Sequence, residues 1–144
     1  MSQVSPMLAP AMALVLWTFV MWFWMYFTRI PAIRAAKMRL DPNAPRGEQM
    51  ATLPPSVRWK ADNYNHLFEQ PTIFYPTVLV LAFIGDSSAS SLALAWGYVG
   101  LRVVHSLFQA MVNKIEIRFL LFSISSLVLL ALALKAAWAV LPAI

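Results

Sequence analysis

The fold class that this sequence predicts is an all-α integral membrane protein, a bundle of four transmembrane helices, and three observations predict it. Hydrophobic residues make up 60% of the chain, and mean hydropathy is +0.67. Charged residues make up only 12% and aromatics 13%, with 6 Trp, a balance suited to lipid rather than to a water-facing globule. Polar residues gather in two stretches beside long apolar runs: Arg58, Asp62, Asn65, His66 and Glu69 in one, Arg102, His105, Gln109 and Asn113 in the other. Ionisable groups among apolar spans are costly without partners, so two such stripes predict one polar pocket between helices.

The 144 residues suffice for one domain, residues 1–144, with about four spans at roughly 20 residues each. The first span is expected over about 7–28, with Trp17, Trp22, Trp24, Tyr26 and Phe27 crowding its later half as an interfacial belt. It lacks a basic leader and a small-residue cleavage site, so it reads as a retained helix rather than a signal peptide. Pro31 is expected to kink its extension. Residues 41–56 carry four prolines and read as a loop. The second span covers about 57–84, and Pro71 and Pro76 within it leave the carbonyls of Leu67 and Thr72 without their usual donors, an ordinary membrane-helix kink. Gly85, Asp86 and the serines after them form a short turn. The third span covers about 91–112 and, after a brief link at Asn113 and Lys114, the fourth covers about 116–141. No internal repeat or broken-helix signature is evident.

Seven of the 11 basic residues (Arg29, Arg34, Lys37, Arg39, Arg46, Arg58 and Lys60) fall between the first two apolar runs. That excess marks a cytoplasmic loop and predicts both termini outside. It also turns the net charge of +5 away from nucleic acid. Short links make neighbouring spans antiparallel. The polar start of span two and the polar end of span three then share the cytoplasmic leaflet. Zero Cys removes a disulfide framework, a thiolate metal site and a cysteine nucleophile.

Residues three and four apart share a helix face. That places Asp62, Asn65, His66 and Glu69 together, and Arg102, His105 and Gln109 together, with Arg118 opening span four at the same level. The set suits a small zwitterionic or anionic molecule: guanidinium forks for carboxylates, Glu69 or Asp62 for an ammonium, Asn65 and Gln109 for peptide-like amides. The alternative is mutual pairing that only locks the helices together. A metal held by His66, Glu69 and His105 is disfavoured by the arginines nearby. Ser123, Ser125 and Ser126 read as helix-contact residues, since no base lies within a turn of them.

The segments 63–75 (NYNHLFEQPTIFY) and 101–122 (LRVVHSLFQAMVNKIEIRFLLF) resemble the bacterial branch of the MAPEG superfamily, the membrane-associated proteins in eicosanoid and glutathione metabolism. The resemblance covers nearly the whole chain. It implies a homotrimer of four-helix subunits, surrounded by lipids and taking lipophilic small molecules from the bilayer. Glutathione, as co-substrate and without a metal, would be held between subunits near the cytoplasmic face. A bacterial inner membrane is the expected location. The family's helix-two glutamate falls on Glu69, and the arginine-asparagine pair before it on Asn65 and His66, a departure. Its helix-three Arg-x-x-His falls on Arg102 and His105, and a tyrosine one turn later in eicosanoid members is Gln109. The arginine implicated in thiolate activation falls on Arg118, while the tyrosine a turn further on is Phe122. The resemblance thus implies Arg118 as the catalytic residue and Arg34, Asn65, His66, Glu69, Arg102, His105 and Gln109 as glutathione contacts.

The activity implied is that of a glutathione-dependent transferase or peroxidase acting on lipophilic electrophiles. The alternative is a non-catalytic binding or structural trimer of the same fold, favoured by the changes at His66 and Phe122. A proton-coupled transporter using Glu69 and His105 is the weaker third reading, because no repeat pair is present.

Overall fold

The structure, a computed structural model, describes residues 4–141, so residues 1–3 and 142–144 of the expected domain lie outside the described residues. The described residues form six helices and no strand: α1 (Leu8–Ala35), α2 (Glu48–Ala51), α3 (Pro55–His66), α4 (Pro71–Phe83), α5 (Ala89–Met111) and α6 (Ile115–Val140). Three of them, α1, α5 and α6, are long and apolar enough to cross a membrane.

The expected second span is not one helix. It is broken between His66 and Pro71 into α3 and α4, which corrects the reading of Pro71 as a simple kink and of the chain as free of broken helices. Proline has no N–H to return to the carbonyl four residues back, and its ring crowds that carbonyl. The chain tightens into three-residue turns instead: Phe68 N–H donates to the Asn65 carbonyl at 2.9 Å, and Ile73 N–H to that of Gln70 at 2.9 Å. Pro71 then occupies the start of α4, where a missing N–H costs nothing. Pro76 and Pro31 lie inside α4 and α1, and the helix continues through each of them. The proline-rich loop also holds one helical turn, α2, that its composition did not suggest.

Turn chemistry sets the remaining ends. Gly85, at φ +76°, terminates α4, and Asp86 N–H returns to the Leu81 carbonyl at 2.9 Å. Ser88 caps α5 by accepting the Ser91 N–H at 3.3 Å. Asp86 accepts from the Ser91 hydroxyl and the Ser88 N–H, and those bonds hold its carboxyl below the usual aspartate range. Asn113, at φ +55°, closes α5, a conformation asparagine tolerates better than most residues.

The core lies where α1, α4, α5 and α6 meet. Leu14 and Met21 of α1 sit against Phe74, Val78 and Leu81 of α4, all fully buried. The Phe74 ring stacks on Tyr98 of α5 with centroids 4.6 Å apart. The outward faces of α1 and α6 are apolar and exposed, with Phe19, Phe27, Phe119, Leu127 and Trp138 among them.

A buried polar clamp ties α3 to α5. Asn63 Nδ2 donates to Ser106 Oγ at 2.7 Å, and Ser106 Oγ donates back to Asn63 Oδ1 at 2.9 Å. Replacing Asn63 with Leu strands the Ser106 hydroxyl, an expected loss of about 1–3 kcal/mol. Thermal unfolding in detergent should show that loss, and adding Ser106→Ala should recover part of it.

Candidate functional site

The break after α3 positions the site. Where the helix stops, the His66 carbonyl accepts the Glu69 N–H of the turn at 3.3 Å and a second bond from outside, Arg102 Nη2 of α5 at 3.4 Å. Glu69 lies in the turn rather than on the helix face expected for it. From there its carboxylate folds back to within 2.9 Å of His66 Nδ1, off the line of the N–H, a contact that is an ion pair only when His66 is protonated. It is the one acid–base contact of this length among the described residues, and the Glu69 side chain remains 69% exposed.

Arg102 has 0% exposure. Its Nε and Nη1 have no hydrogen-bond partner within the protein. A buried guanidinium with five donors and one long backbone bond has no paired carboxylate among the described residues. Beside it, His66 and His105 stand edge to face with centroids 5.1 Å apart. Phe122 of α6 packs on His66 at 5.4 Å, and its ring lies 5.8 Å from the Arg102 guanidinium carbon, within cation–π range. The phenylalanine at the expected tyrosine position therefore supports the buried cation although it can donate nothing to a ligand.

Arg118 stands in the first turn of α6 and is held by the turn before it: its Nη1 donates to Asn113 Oδ1 at 2.6 Å. The ion pair expected as an alternative, with Glu69, Asp62 or Glu116, does not form among the described residues. Its Nε, like His105 Nδ1 and Gln109 Oε1, is buried and unpartnered.

Two adjoining cavities open here and share His66 and Arg118. One, of about 350 Å³, is also bordered by His105 and by the apolar Ile115, Phe119 and Phe122. The other, of about 460 Å³, is bordered by Asp62, Asn65, Glu69 and Gln109. The two cavities are thus bordered by six of the eight residues singled out in the sequence, and a seventh, Arg102, is buried within cation–π range of Phe122 on their wall without bordering either. Arg34 is the exception: it is exposed in the last turn of α1 and borders neither cavity. Among the described residues no cluster of His, Asp and Glu is arranged to hold a metal ion.

Sequence reasoning missed Asn63 and Gln70. Gln70 accepts from the Tyr98 hydroxyl at 3.3 Å and donates to Ser126 at 2.6 Å, tying the helix break to α5 and α6. The signal that could have found it was a mid-span amide directly before Pro71, facing a span with serines at 123, 125 and 126.

Chemically, the arrangement offers the Arg118 guanidinium, amides and exposed carboxylates around one cavity and an apolar flank on the other. Such a set of groups suits a small zwitterionic or anionic molecule. In comparison with known proteins, the family model described as the MAPEG family matches residues 7–138. No curated protein and no solved structure matches the chain.

Proposed function

The chain belongs to the MAPEG family, and from that premise we propose that it is a glutathione-dependent transferase or peroxidase acting on lipophilic electrophiles within the membrane. The family and the three long apolar helices together make it an integral membrane protein, and the family fits glutathione-related work in general. The observation that carries the narrower reading is the set of buried, unpartnered polar atoms at these cavities, Arg118 Nε, His105 Nδ1 and Gln109 Oε1, with the wholly buried and partly unpartnered Arg102 against Phe122 on the same wall.

In this reading Arg102, with Gln109 and Asn65, holds the carboxylates and amides of glutathione. His66 and His105 line the same wall, and Glu69 and Asp62 face its ammonium. Arg118 is the catalytic residue: its fork, oriented by Asn113, stabilises the sulfur as thiolate and so supplies a nucleophile at neutral pH. The sulfur forms the new bond to the electrophilic carbon, and the displaced electron pair leaves with the departing group. The flank of Ile115, Phe119 and Phe122 suits an apolar partner arriving from the bilayer.

The assembly proposed is a homotrimer with glutathione between subunits near the cytoplasmic face. Arg34, remote from the cavities of its own protomer, would then reach a neighbour's. The proposed topology has four crossings with both termini outside, in a bacterial inner membrane, and residues 1–144 act as one domain. Helices α3 and α4 have 12 and 13 residues. At about 1.5 Å per residue each is too short for a core of about 30 Å, and end to end they span it.

Calorimetric titration of the detergent-purified protein with glutathione tests this reading. Saturable binding is expected, and an absence of binding heat at several temperatures would remove the proposal.

A further inference from the structure

A third cavity, of about 370 Å³, lies on the far side of Asp62 and Asn65, bordered also by Arg29, Arg46 and Arg58. Three different elements supply these guanidinium groups: the last third of α1, the loop before α2, and α3. None of them forms an ion pair with a carboxylate among the described residues. The Nε atoms of Arg29 and Arg58 are buried and have no partner within the protein.

The loop that carries Arg46 is built rather than slack. Pro45, Arg46, Gly47 and Glu48 make a tight turn, with Glu48 N–H donating to the Pro45 carbonyl at 3.1 Å and Gly47 at φ +85°. That turn needs a positive φ at its third position, which glycine supplies. The Gln49 side chain fastens the approach to the turn, donating to the Arg39 carbonyl at 2.7 Å and accepting Asp41 N–H at 3.0 Å.

The depth of the cavity narrows its ligand. Arg29 follows directly on the aromatic cluster of α1, where Trp22 and Tyr26 meet edge to face at 4.9 Å and Phe27 is 75% exposed. Aromatic belts of this kind lie at the level of the lipid headgroups. Cationic side chains gathered at that level attract anionic lipid.

We propose that Arg29, Arg46 and Arg58 form a binding site for a phosphate group, that of an anionic phospholipid headgroup. Phosphate accepts bidentate bonds from guanidinium forks, which the two unpartnered Nε atoms are free to give. A soluble phosphate would present the same chemistry, and the test separates the two sources. Its three arginines are distinct from the glutathione reading, since none of them is assigned to that ligand, although Asp62 and Asn65 border both cavities.

The test is native mass spectrometry of the full chain in mild detergent, titrated with phosphatidylglycerol, with phosphatidylcholine of the same acyl chains, and with inorganic phosphate. Two variants accompany it: Arg46→Gln, which changes an exposed loop residue and spares the helices, and the double variant Arg29→Gln/Arg58→Gln. The expected result is preferential retention of phosphatidylglycerol, weakened about fivefold by Arg46→Gln and further by the double variant. Retention of inorganic phosphate without the lipid, lost in the same variants, assigns the site to a soluble phosphate. Equal retention of the two lipids, retention unchanged by Arg46→Gln, or no retention of any probe overturns the proposal.

Discussion

Arg118→Ala should lower glutathione conjugation by about 10²–10³-fold, the usual cost of removing one donor from a charge that develops during reaction. The thermal stability of the variant in detergent should stay close to that of the parent. A structural arginine would behave differently, because removing one partner of a buried ion pair costs about 3–5 kcal/mol. Arg118 has no such partner; its one side-chain bond goes to the neutral amide of Asn113. Arg118→Lys keeps the charge and loses the planar fork, so it should recover only part of the rate. Initial-rate assays with a lipophilic electrophile, beside unfolding curves of the same preparations, separate the two roles. Unchanged turnover in Arg118→Ala would take this residue out of the mechanism.

Arg102→Met should cost glutathione binding about 2–5 kcal/mol, the range for losing one partner of a buried charged contact. The same substitution should leave the unliganded protein as stable as the parent or more so. An unpaired guanidinium at 0% exposure is a burden on the fold, and an apolar side chain of similar length relieves it. What opposes this gain is one 3.4 Å bond to the His66 carbonyl and the cation–π contact with Phe122 at 5.8 Å. Calorimetry and thermal unfolding on the same samples give the two numbers. A large fall in unliganded stability together with unchanged affinity would make Arg102 a helix lock instead of a ligand anchor.

Much of this site is legible in the sequence, for a definite reason. Spacings of three and four residues put Arg102, His105 and Gln109 on one face of α5, and all three are buried there. Antiparallel order alone carries them to the level of His66, which meets His105 at 5.1 Å. The limit is the helix break. A proline in an apolar run is compatible with a kink or with a full interruption, and the choice here is tied to tertiary partners of the freed groups. Arg102 takes the His66 carbonyl, and Gln70 bridges Tyr98 and Ser126. None of these partners is close in sequence. For the same reason Glu69, expected on a helix face, stands in a turn.

The Asn63–Ser106 clamp is not legible in this way, because neither residue is charged and each is common in membrane helices. Arg34 is singled out by resemblance alone, and nothing within one protomer gives it a role in the cavities. Its contribution depends on the neighbouring subunit that the proposed trimer supplies.

If the cleft between α3, α5 and α6 holds glutathione with its sulfur ionised, the thiolate can be read directly. The measurement is ultraviolet difference absorbance of glutathione added to the detergent-purified protein at neutral pH. The expected result is a thiolate band that saturates with glutathione, persists in Arg46→Gln and disappears in Arg118→Ala. Glutathione that binds by calorimetry with no thiolate band, or with a band that survives in Arg118→Ala, would contradict this mechanism.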